Sequence, residues 1–501
     1  MKKSISKKLE KRKRKISKRI KKKQWPQQPK PMLAGSNIVY DVDGRHQGTA
    51  YGGIGNIHHL AARSGLIDEI DNHMQLLERH LPYYESDHIL NICYNYLVGG
   101  SCLQDIKLLR NDEAWLDALG ASIIPDPTTA GDFLRRFNAE QITELMEVKN
   151  TIRGKIWQKQ PASFLREAII DADGTICATD GECKQGMDIS YNGQWGYHPL
   201  IISLHNTREP LYIVNRPANA PSHHNSASWI DKSLDLVGEH FETVHLRGDT
   251  DFSLTSHFDK WDQRCTFIFG MDARNNLVMI ANQIDESDWQ PLEKRPIYQI
   301  KTWPRQKPQN VKQQVVKKRQ FTKVVTKAED IAECEYQPGK CEKPYRLIIL
   351  RKTLDVIKGE KTLCEKIRYF FYITNDRNRS TQQMIHFYRN RSDHENDIDQ
   401  LKNGVKALRP SSKTLLSNWA LMVIASLAWD LKIWFGLLLA YRPLGLSIVR
   451  MEFKRFLNTF IRIPCLIVKT GRRIHYRLVG YNDKLKHVIG FSERIKALNF
   501  P

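Results

Sequence analysis

The stretch Ala168-Ile-Ile-Asp-Ala-Asp-Gly-Thr, residues 168–175, reads as a buried strand that ends in acidic residues and a turn. Working outward, the runs 200–204 and 211–214 are apolar and are joined by a polar turn, which predicts a hairpin. A helical pattern over 226–237 follows, then the strand Thr243-Val-His-Leu-Arg, which stops at Gly248-Asp249. A helical stretch and the strand Cys265-Thr-Phe-Ile-Phe complete the series. This order predicts a mixed sheet with helices on its faces.

This order is that of the ribonuclease-H-like α/β fold: three strands, a helix, a strand, a helix and a strand. Between residues 276 and 375, Lys- and Gln-rich turns separate strand-like runs such as Val315-Val316 and Val324-Val325, and helical character returns at Ser380, a predicted N-cap. The predicted segments are a basic tail that is disordered or follows DNA (1–30), a helical DNA-binding domain (31–160), a ribonuclease-H-like domain in two parts (161–275 and 376–445), a β-rich insertion between them (276–375) and a C-terminal region with a hairpin (446–501).

The charge balance points to a polyanionic partner. The 501 residues carry 77 Lys and Arg against 55 Asp and Glu, a net charge of +22, and 41% hydrophobic residues are enough for packed cores. A surplus of this size attracts nucleic acid without regard to its sequence. Residues 2–23 hold fourteen Lys or Arg and one acid, Glu10, so this tail predicts an arm along the DNA backbone, the alternative being a solvated tail.

The helical pattern of residues 53–159 is compatible with a helix-turn-helix DNA reader and equally with any small helical domain. Lys107, Arg135 and Arg136 are its candidates for contact with a DNA groove. Nine scattered cysteines, an odd number without paired spacing, favour a reducing cytosol over a disulfide or zinc framework. The apolar run 419–441 contains Asp430 and Lys432, so we expect a buried helix and no membrane partner.

Two acidic positions are expected to meet at one edge of the sheet. Because side chains alternate along a strand, Asp171 and Asp173 share one face, and Asp249 ends the strand that lies beside theirs in this fold. Neighbouring carboxylates repel unless a proton or a cation lies between them, and hard oxygen ligands suit Mg²⁺ or Mn²⁺. Taken one at a time, each aspartate is better explained by a turn or cap role.

A helix that begins at Ser380 and continues to about Leu401 predicts a second cluster. At about 100° per residue, four functional side chains fall within about 60° of one another on that helix. They are an aromatic hydroxyl, a guanidinium, a carboxylate and an ammonium: Tyr388, Arg391, Glu395 and Lys402. Met384 and Ile398 lie on or beside the same stripe, which indicates that it turns partly inward and could supply a third carboxylate.

These residues carry a resemblance to a known family. The spacing Tyr388-x2-Arg391-x3-Glu395-x6-Lys402 resembles the Tyr-Arg-Glu-Lys signature of bacterial insertion-sequence DDE transposases, of the group 1 type. The stretches Ile170-Asp-Ala-Asp-Gly-Thr and Leu246-Arg-Gly-Asp-Thr-Asp-Phe resemble the two Asp blocks of that superfamily. Residues 186–199 and Arg216-Pro-Ala-Asn are similar to further segments, so that the resemblance covers most of residues 45–480.

The resemblance implies a role for each of these residues. Asp173, Asp249 and Glu395 would be catalytic and hold two divalent ions, Mg²⁺ or Mn²⁺, for in-line phosphoryl transfer. Tyr388, Arg391 and Lys402 would bind the DNA of the transposon end. Asp173 is preferred to Asp171 because Gly-Thr follows it, and an aromatic that holds a flipped base would be Trp289 or Trp303, each of which could equally be a core residue.

The predicted function is cut-and-paste transposition by a protein that acts in the cytoplasm on the bacterial nucleoid. Its partners would be terminal inverted repeats and target DNA, and the pairing of two ends implies a homodimer on DNA. Two alternatives remain on the same fold: a divalent-metal-dependent endonuclease that hydrolyses without joining, and a domesticated DNA-binding protein without catalysis.

Overall fold

The computed structural model describes residues 3–21, 27, 32–33, 35, 37–293, 310–359 and 361–500. Its α-helices are α1 (Lys3–Ile20), α2 (Ile54–Arg63), α3 (Leu66–His73), α4 (Glu85–Leu97), α5 (Ile106–Arg110), α6 (Glu113–Leu119), α7 (Pro127–Leu134), α8 (Ala139–Trp157), α9 (Ser226–Gly238), α10 (Phe258–Asp262), α11 (Asn275–Gln283), α12 (Val311–Lys318), α13 (Thr381–Arg389), α14 (Ser392–Asp399), α15 (Leu415–Leu437), α16 (Arg442–Val449), α17 (Phe453–Phe456) and α18 (Leu485–Ala497).

The strands are β1 (Gln47–Thr49), β2 (Glu167–Gly174), β3 (Cys177–Ala178), β4 (Asp188–Ile189), β5 (Trp195–Tyr197), β6 (Leu200–Leu204), β7 (Glu209–Val214), β8 (Thr243–Gly248), β9 (Thr266–Met271), β10 (Gln290–Pro291), β11 (Thr322–Tyr336), β12 (Tyr345–Lys358), β13 (Lys361–Thr374), β14 (Cys465–Thr470) and β15 (Arg473–Leu478). The chain forms two units. Unit 1 comprises Met1–Arg166, Gly174–Ala220 and Glu395–Pro501, and unit 2 comprises Glu167–Asp173 and Pro221–His394.

Unit 2 is built on a mixed sheet in the order β10-β11-β12-β13-β9-β8-β2. The strands β2, β8 and β9 are parallel neighbours, and β13 joins β9 antiparallel. Ala168, Ile170 and Leu246 are fully buried, as expected for short central strands covered by helices. The predicted order of elements and the pairing of the first and fourth strands are therefore present.

The segment predicted as a β-rich insertion extends this same sheet. Its long strands β11, β12 and β13 form an antiparallel meander, and Ile373 of β13 lies opposite Phe269 of β9. The strand-like run Val315-Val316 is instead helical, since it lies in α12. Asn310 caps that helix by accepting a hydrogen bond from the Gln313 backbone N–H, and such a cap outweighs the β preference of two valines.

The predicted continuous helix from Ser380 to Leu401 is wrong. Ser380 does cap the start, with its hydroxyl accepting from the Gln383 backbone N–H, but the helix is divided into α13 and α14. At the break, Arg391 N–H donates to the Tyr388 carbonyl and His394 N–H to the Arg391 carbonyl, which are tighter turns than an α-helix makes. A π-helical turn, Gln400–Gly404, then follows. The ideal-helix angles thus do not apply across residue 391.

Unit 1 contains the helices α2–α8 and α15–α18 and small antiparallel sheets. The predicted C-terminal hairpin is present as β14 and β15, and β1 pairs with β14. The basic tail forms α1, which has no buried residue. Lys2, Lys22 and Lys23 of that tail lie outside the described residues.

The centre of unit 1 is α15, in which every residue from Ser417 to Leu437 is buried. By length and composition alone this helix could cross a membrane, but its apolar window is wholly buried in the protein, as predicted. Asp430 is fully buried and is compensated by two cations of α8, with Lys149 Nζ at 3.0 Å and an Arg153 nitrogen at 3.2 Å. Buried charges persist when they are paired in this way.

Candidate active site

The two predicted aspartates lie at the same end of two neighbouring strands, Asp173 within β2 and Asp249 directly after β8. The parallel register places Asp171 opposite Arg247 and Ala172 opposite Gly248, so Asp173 and Asp249 follow at the same end of β2 and β8. Asp249 begins a short 3₁₀ turn, Thr250–Phe252, and its Oδ1 accepts a 3.0 Å hydrogen bond from the Asp251 backbone N–H. One of its oxygens thus has the capping role that turn chemistry predicts, and the other remains for a second partner.

Arg391 joins the two carboxylates. Its Nη1 donates to Asp173 Oδ2 at 3.0 Å, and its Nη2 is 3.6 Å from Asp249 Oδ2. The three side chains are only 13%, 15% and 31% exposed for Arg391, Asp173 and Asp249 respectively, so solvent screens the cluster weakly. The break between α13 and α14 places Arg391 in this position.

Burial and charge act in opposite directions on this cluster. Burial raises the pKa of Asp249, and the guanidinium of Arg391 only partly offsets that effect. The pKa of Arg391 is raised because the attraction of Asp173, Tyr388 and Asp249 exceeds the cost of its own burial. The two carboxylates therefore need a cation between them, and in this structure the guanidinium supplies it.

Tyr388 belongs to the same cluster. Its ring lies 4.6 Å from that of Tyr372 on β13, and burial raises the pKa of its hydroxyl while the neighbouring Arg391 lowers it. Gly270 of β9 leaves room for it, since a Cβ atom there would stand 3.1 Å from the Tyr388 hydroxyl. Four of the six predicted site residues thus form one cluster: Asp173, Asp249, Tyr388 and Arg391.

Asp171 has a different partner, which the sequence interpretation missed. Arg247 donates to both its oxygens at 2.7 Å, and both side chains are fully buried. The same guanidinium donates to the Phe387 carbonyl of α13 at 2.7 Å. Arg247 therefore fastens the helix of Tyr388 to the ends of β2 and β8. An arginine inside a buried strand, directly before Gly248-Asp249, was the available signal.

The two other predicted residues belong to unit 1. Glu395 is an exposed residue of α14. Lys402 donates to the Ile176 carbonyl at 2.7 Å and to Thr175 Oγ1 at 3.3 Å, so here it stabilises the chain that follows Gly174. Within the described ranges, no group of three or more His, Cys, Asp and Glu side chains is arranged to hold a metal ion. The place of Glu395 in a three-carboxylate site stays a prediction.

The donor set fits a hard divalent cation in kind. Two carboxylates from adjacent strand ends converge on one positive charge, and carboxylate oxygens are the ligands that Mg²⁺ and Mn²⁺ prefer. Asp171 is not available to such an ion, because both of its oxygens are engaged by Arg247.

Of the other candidates, Trp289 packs its ring under Arg351 at 4.3 Å and beside Tyr369, as a residue of the sheet surface. Trp303 lies outside the described residues. Lys107, Arg135 and Arg136 are exposed residues of unit 1, where Arg135 pairs with Asp132 and Arg136 donates to the Leu76 carbonyl.

A mixed sheet with acids at its strand ends agrees with one class of protein, the DDE transposases, and comparison with known families places the chain there. It belongs to the family described as transposase DDE domain group 1, whose profile matches residues 30–499. Among solved structures, it is similar to the piggyBac transposase in a synaptic complex with hairpin DNA, with 9% identity, a TM-score of 0.38 and 83% of each chain covered. No curated protein sequence matches the chain significantly.

Proposed function

We propose that this protein is the cut-and-paste transposase of an insertion sequence. It cleaves DNA at the terminal inverted repeats and joins the freed 3′-hydroxyls to target DNA. Membership of the transposase DDE domain family supports the class of activity. The observation that carries the chemistry is the pair Asp173 and Asp249 held on the single guanidinium of Arg391.

Asp173, Asp249 and Glu395 would hold two divalent ions. When bound, these ions would activate the attacking water or 3′-hydroxyl and stabilise the leaving oxygen. Asp173 is the better first ligand because Asp171 is buried and neutralised by Arg247. The buried ion pair of Asp171 thus supports the choice of Asp173.

The remaining residues position the DNA. Arg391 is placed to exchange its carboxylate partners for phosphate oxygens, which are chemically similar acceptors for a guanidinium. Tyr388, which lies beside it, offers a hydroxyl to the same strand. Lys402 would add a further positive charge, and two transposon ends held together require two copies of the chain.

Joining separates this function from its closest alternative, a nuclease on the same fold. The protein is incubated with Mg²⁺ or Mn²⁺, a labelled DNA duplex that ends in the element's terminal repeat, and a supercoiled target plasmid. The proposal expects the label to become covalently attached to the plasmid. Cleavage of the duplex without any transfer of label would establish hydrolysis alone and overturn the joining activity.

A further inference from the structure

The three long strands of unit 2 project beyond the helices that cover the sheet. We call this part the outer arm and define it as residues 322–327, 353–358 and 361–368 of β11, β12 and β13. Every arm residue of β11 and β13 is exposed, whereas Leu347, Ile348, Ile349 and Leu350 of β12, nearer the site, are fully buried. The outer two strands of the arm are therefore surface, while β12 between them is partly covered and its Val356 is buried.

The strand register assigns the arm residues to two faces, except Leu363, the extra residue at a bulge of β13. Even-numbered residues of β12 share a face, and Ile348 and Leu350 of that face pack against Met384 and Ile385 of α13. Val356 lies opposite Val324 and Cys364, and Leu354 lies opposite Thr326 and Lys366. The outer continuation of this face, here called the basic face, consists of Thr322, Val324, Thr326, Leu354, Val356, Lys358, Lys361, Cys364, Lys366 and Arg368.

The opposite side, here called the mixed face, consists of Lys323, Val325, Lys327, Thr353, Asp355, Ile357, Thr362, Glu365 and Ile367. Its charges compensate one another, because two lysines stand with two carboxylates. Lys327, which lies at the bulge of β11, pairs directly with Glu365, and the attraction of Glu365 and Asp355 raises its pKa.

The basic face has no such compensation. It carries four exposed cations, Lys358, Lys361, Lys366 and Arg368, and no carboxylate among its described residues. Glu329, an acid at the inner border of this side, is already paired with Lys352 and Arg389. Among the described residues, the four cations of the basic face thus form a row that suits a polyanion.

We infer that the basic face of the outer arm binds the phosphate backbone of duplex DNA that extends from the active site. This inference rests on the proposed function, because it names a surface for the same substrate. From Arg368, opposite Lys352, to Lys358 is six residues along the ladder, about 20 Å at the rise of a strand. That length reaches several successive phosphates of one DNA strand.

The position of the arm within unit 2 also agrees with DNA binding. Its basic face continues the face on which α13 lies, and α13 carries Tyr388 and leads directly to Arg391. Contacts from lysine and arginine to phosphate oxygens hold the DNA backbone and carry no information about the base sequence. The contact should therefore contribute affinity irrespective of the DNA sequence.

Two double variants of the same arm test the inference. K358Q/K366Q removes two positive charges from the basic face, and K323Q/K327Q removes two from the mixed face, so the change in net charge is matched. Binding of each full-length protein to a random-sequence duplex is measured by fluorescence anisotropy in EDTA over a series of salt concentrations. Circular dichroism and thermal unfolding confirm that both variants are folded.

The inference expects K358Q/K366Q to reduce the slope of log affinity against log salt by about 2, since each lost phosphate contact removes about 0.9. K323Q/K327Q should retain the wild-type slope. Equal effects of both variants, or no effect of either, would overturn the inference. A change in self-association of the DNA-free protein with unaltered DNA binding would also overturn it and assign the face to a second copy.

The result is independent of catalysis, because EDTA prevents cleavage. If the two double variants show the same salt dependence of binding while the wild-type protein joins DNA, the inference is wrong and the proposed function stands. If only K358Q/K366Q lowers the salt dependence of binding while the wild-type protein neither cleaves nor joins DNA, the inference stands and the proposed function is wrong.

Discussion

At the scale of single residues, two arginines divide the acidic side chains between a buried ion pair and the proposed catalytic site. Arg247 engages Asp171 in a fully buried, two-point ion pair, while Arg391 bridges the partly accessible Asp173 and Asp249. The sequence interpretation grouped Asp171 and Asp173 by strand alternation alone. Their separation depends on which arginine reaches each of them, and that follows from tertiary packing.

Replacing Arg247 by Met should destabilise the protein by about 3–5 kcal/mol, because the buried carboxylate of Asp171 would lose its two-point ion pair. The Phe387 carbonyl would also lose its donor. The free energy of unfolding in urea measures this effect. The double variant D171L/R247M is the control and should be less destabilised than R247M alone. A wild-type stability for R247M would contradict the positioning role.

His88 predicts a pH dependence of stability in unit 1. It is 4% exposed and stacks on Phe133 at 4.4 Å, and burial lowers its pKa to about 4. Above pH 6.5 the ring is neutral in both states, so no stability is lost. As the pH falls from about 6.5 to about 4, His88 is protonated in the unfolded chain but stays neutral in the folded protein. The free energy of unfolding therefore decreases by up to about 3 kcal/mol.

The variant H88F should therefore be less sensitive to acid over this interval, with a smaller loss of unfolding free energy per pH unit. The exposed residue His475 supplies the control, and H475Q should follow the wild-type curve. Parallel curves for H88F and the wild type would contradict the assignment.

At the scale of elements, the sequence predicted the order β2, β6, β7, α9, β8, α10 and β9, because each of these elements has a clear apolar pattern and a turn at its end. It did not predict the short strands β3, β4 and β5 between β2 and β6. It also predicted the Ser380 cap and the C-terminal hairpin. It did not predict that β11–β13 extend the central sheet. Pairing between distant strands depends on the edge that β9 offers to β13, which no local pattern shows.

The break between α13 and α14 has a similar explanation. Residues 380–401 have the apolar spacing of one helix, so periodicity predicts continuity. In the structure a turn at Asn390 and Arg391 interrupts the helix, and Arg391 contacts its two carboxylate partners from this turn. This ion pair is a tertiary contact that forms only in the folded protein, so the local helical pattern does not show it.

The contact between β9 and α13 offers a test of this packing. A methyl group in G270A would meet the Tyr388 hydroxyl at 3.1 Å and the Thr250 backbone nitrogen at 3.2 Å, so we expect a loss of about 1–2 kcal/mol of unfolding free energy. In the control G238A, the new methyl group meets nothing within 4 Å at the end of α9 and should stabilise by about 0.5–1 kcal/mol. Equal stabilities for G270A and the wild type would show that Tyr388 packs elsewhere.

At the scale of the whole molecule, charge and chemistry are distributed differently. The basic tail, residues 2–23, carries +13 of the net charge of +22, whereas the acidic pair lies at the strand ends of unit 2. In the proposed function the acids supply the chemistry and the cations supply affinity for DNA, so variants should be able to lose one without the other. Composition alone predicted the affinity, and only the ordered acidic motifs predicted the chemistry.

The most direct measurement is metal-dependent cleavage of end DNA by D173N, D249N and E395Q, with DNA binding recorded for each. The account predicts that all three lose cleavage in Mg²⁺ and Mn²⁺ while they retain binding, and that D393N, which alters a second exposed acid of α14, cleaves like the wild type. Normal cleavage by D173N, D249N or E395Q would contradict the proposed three-carboxylate site.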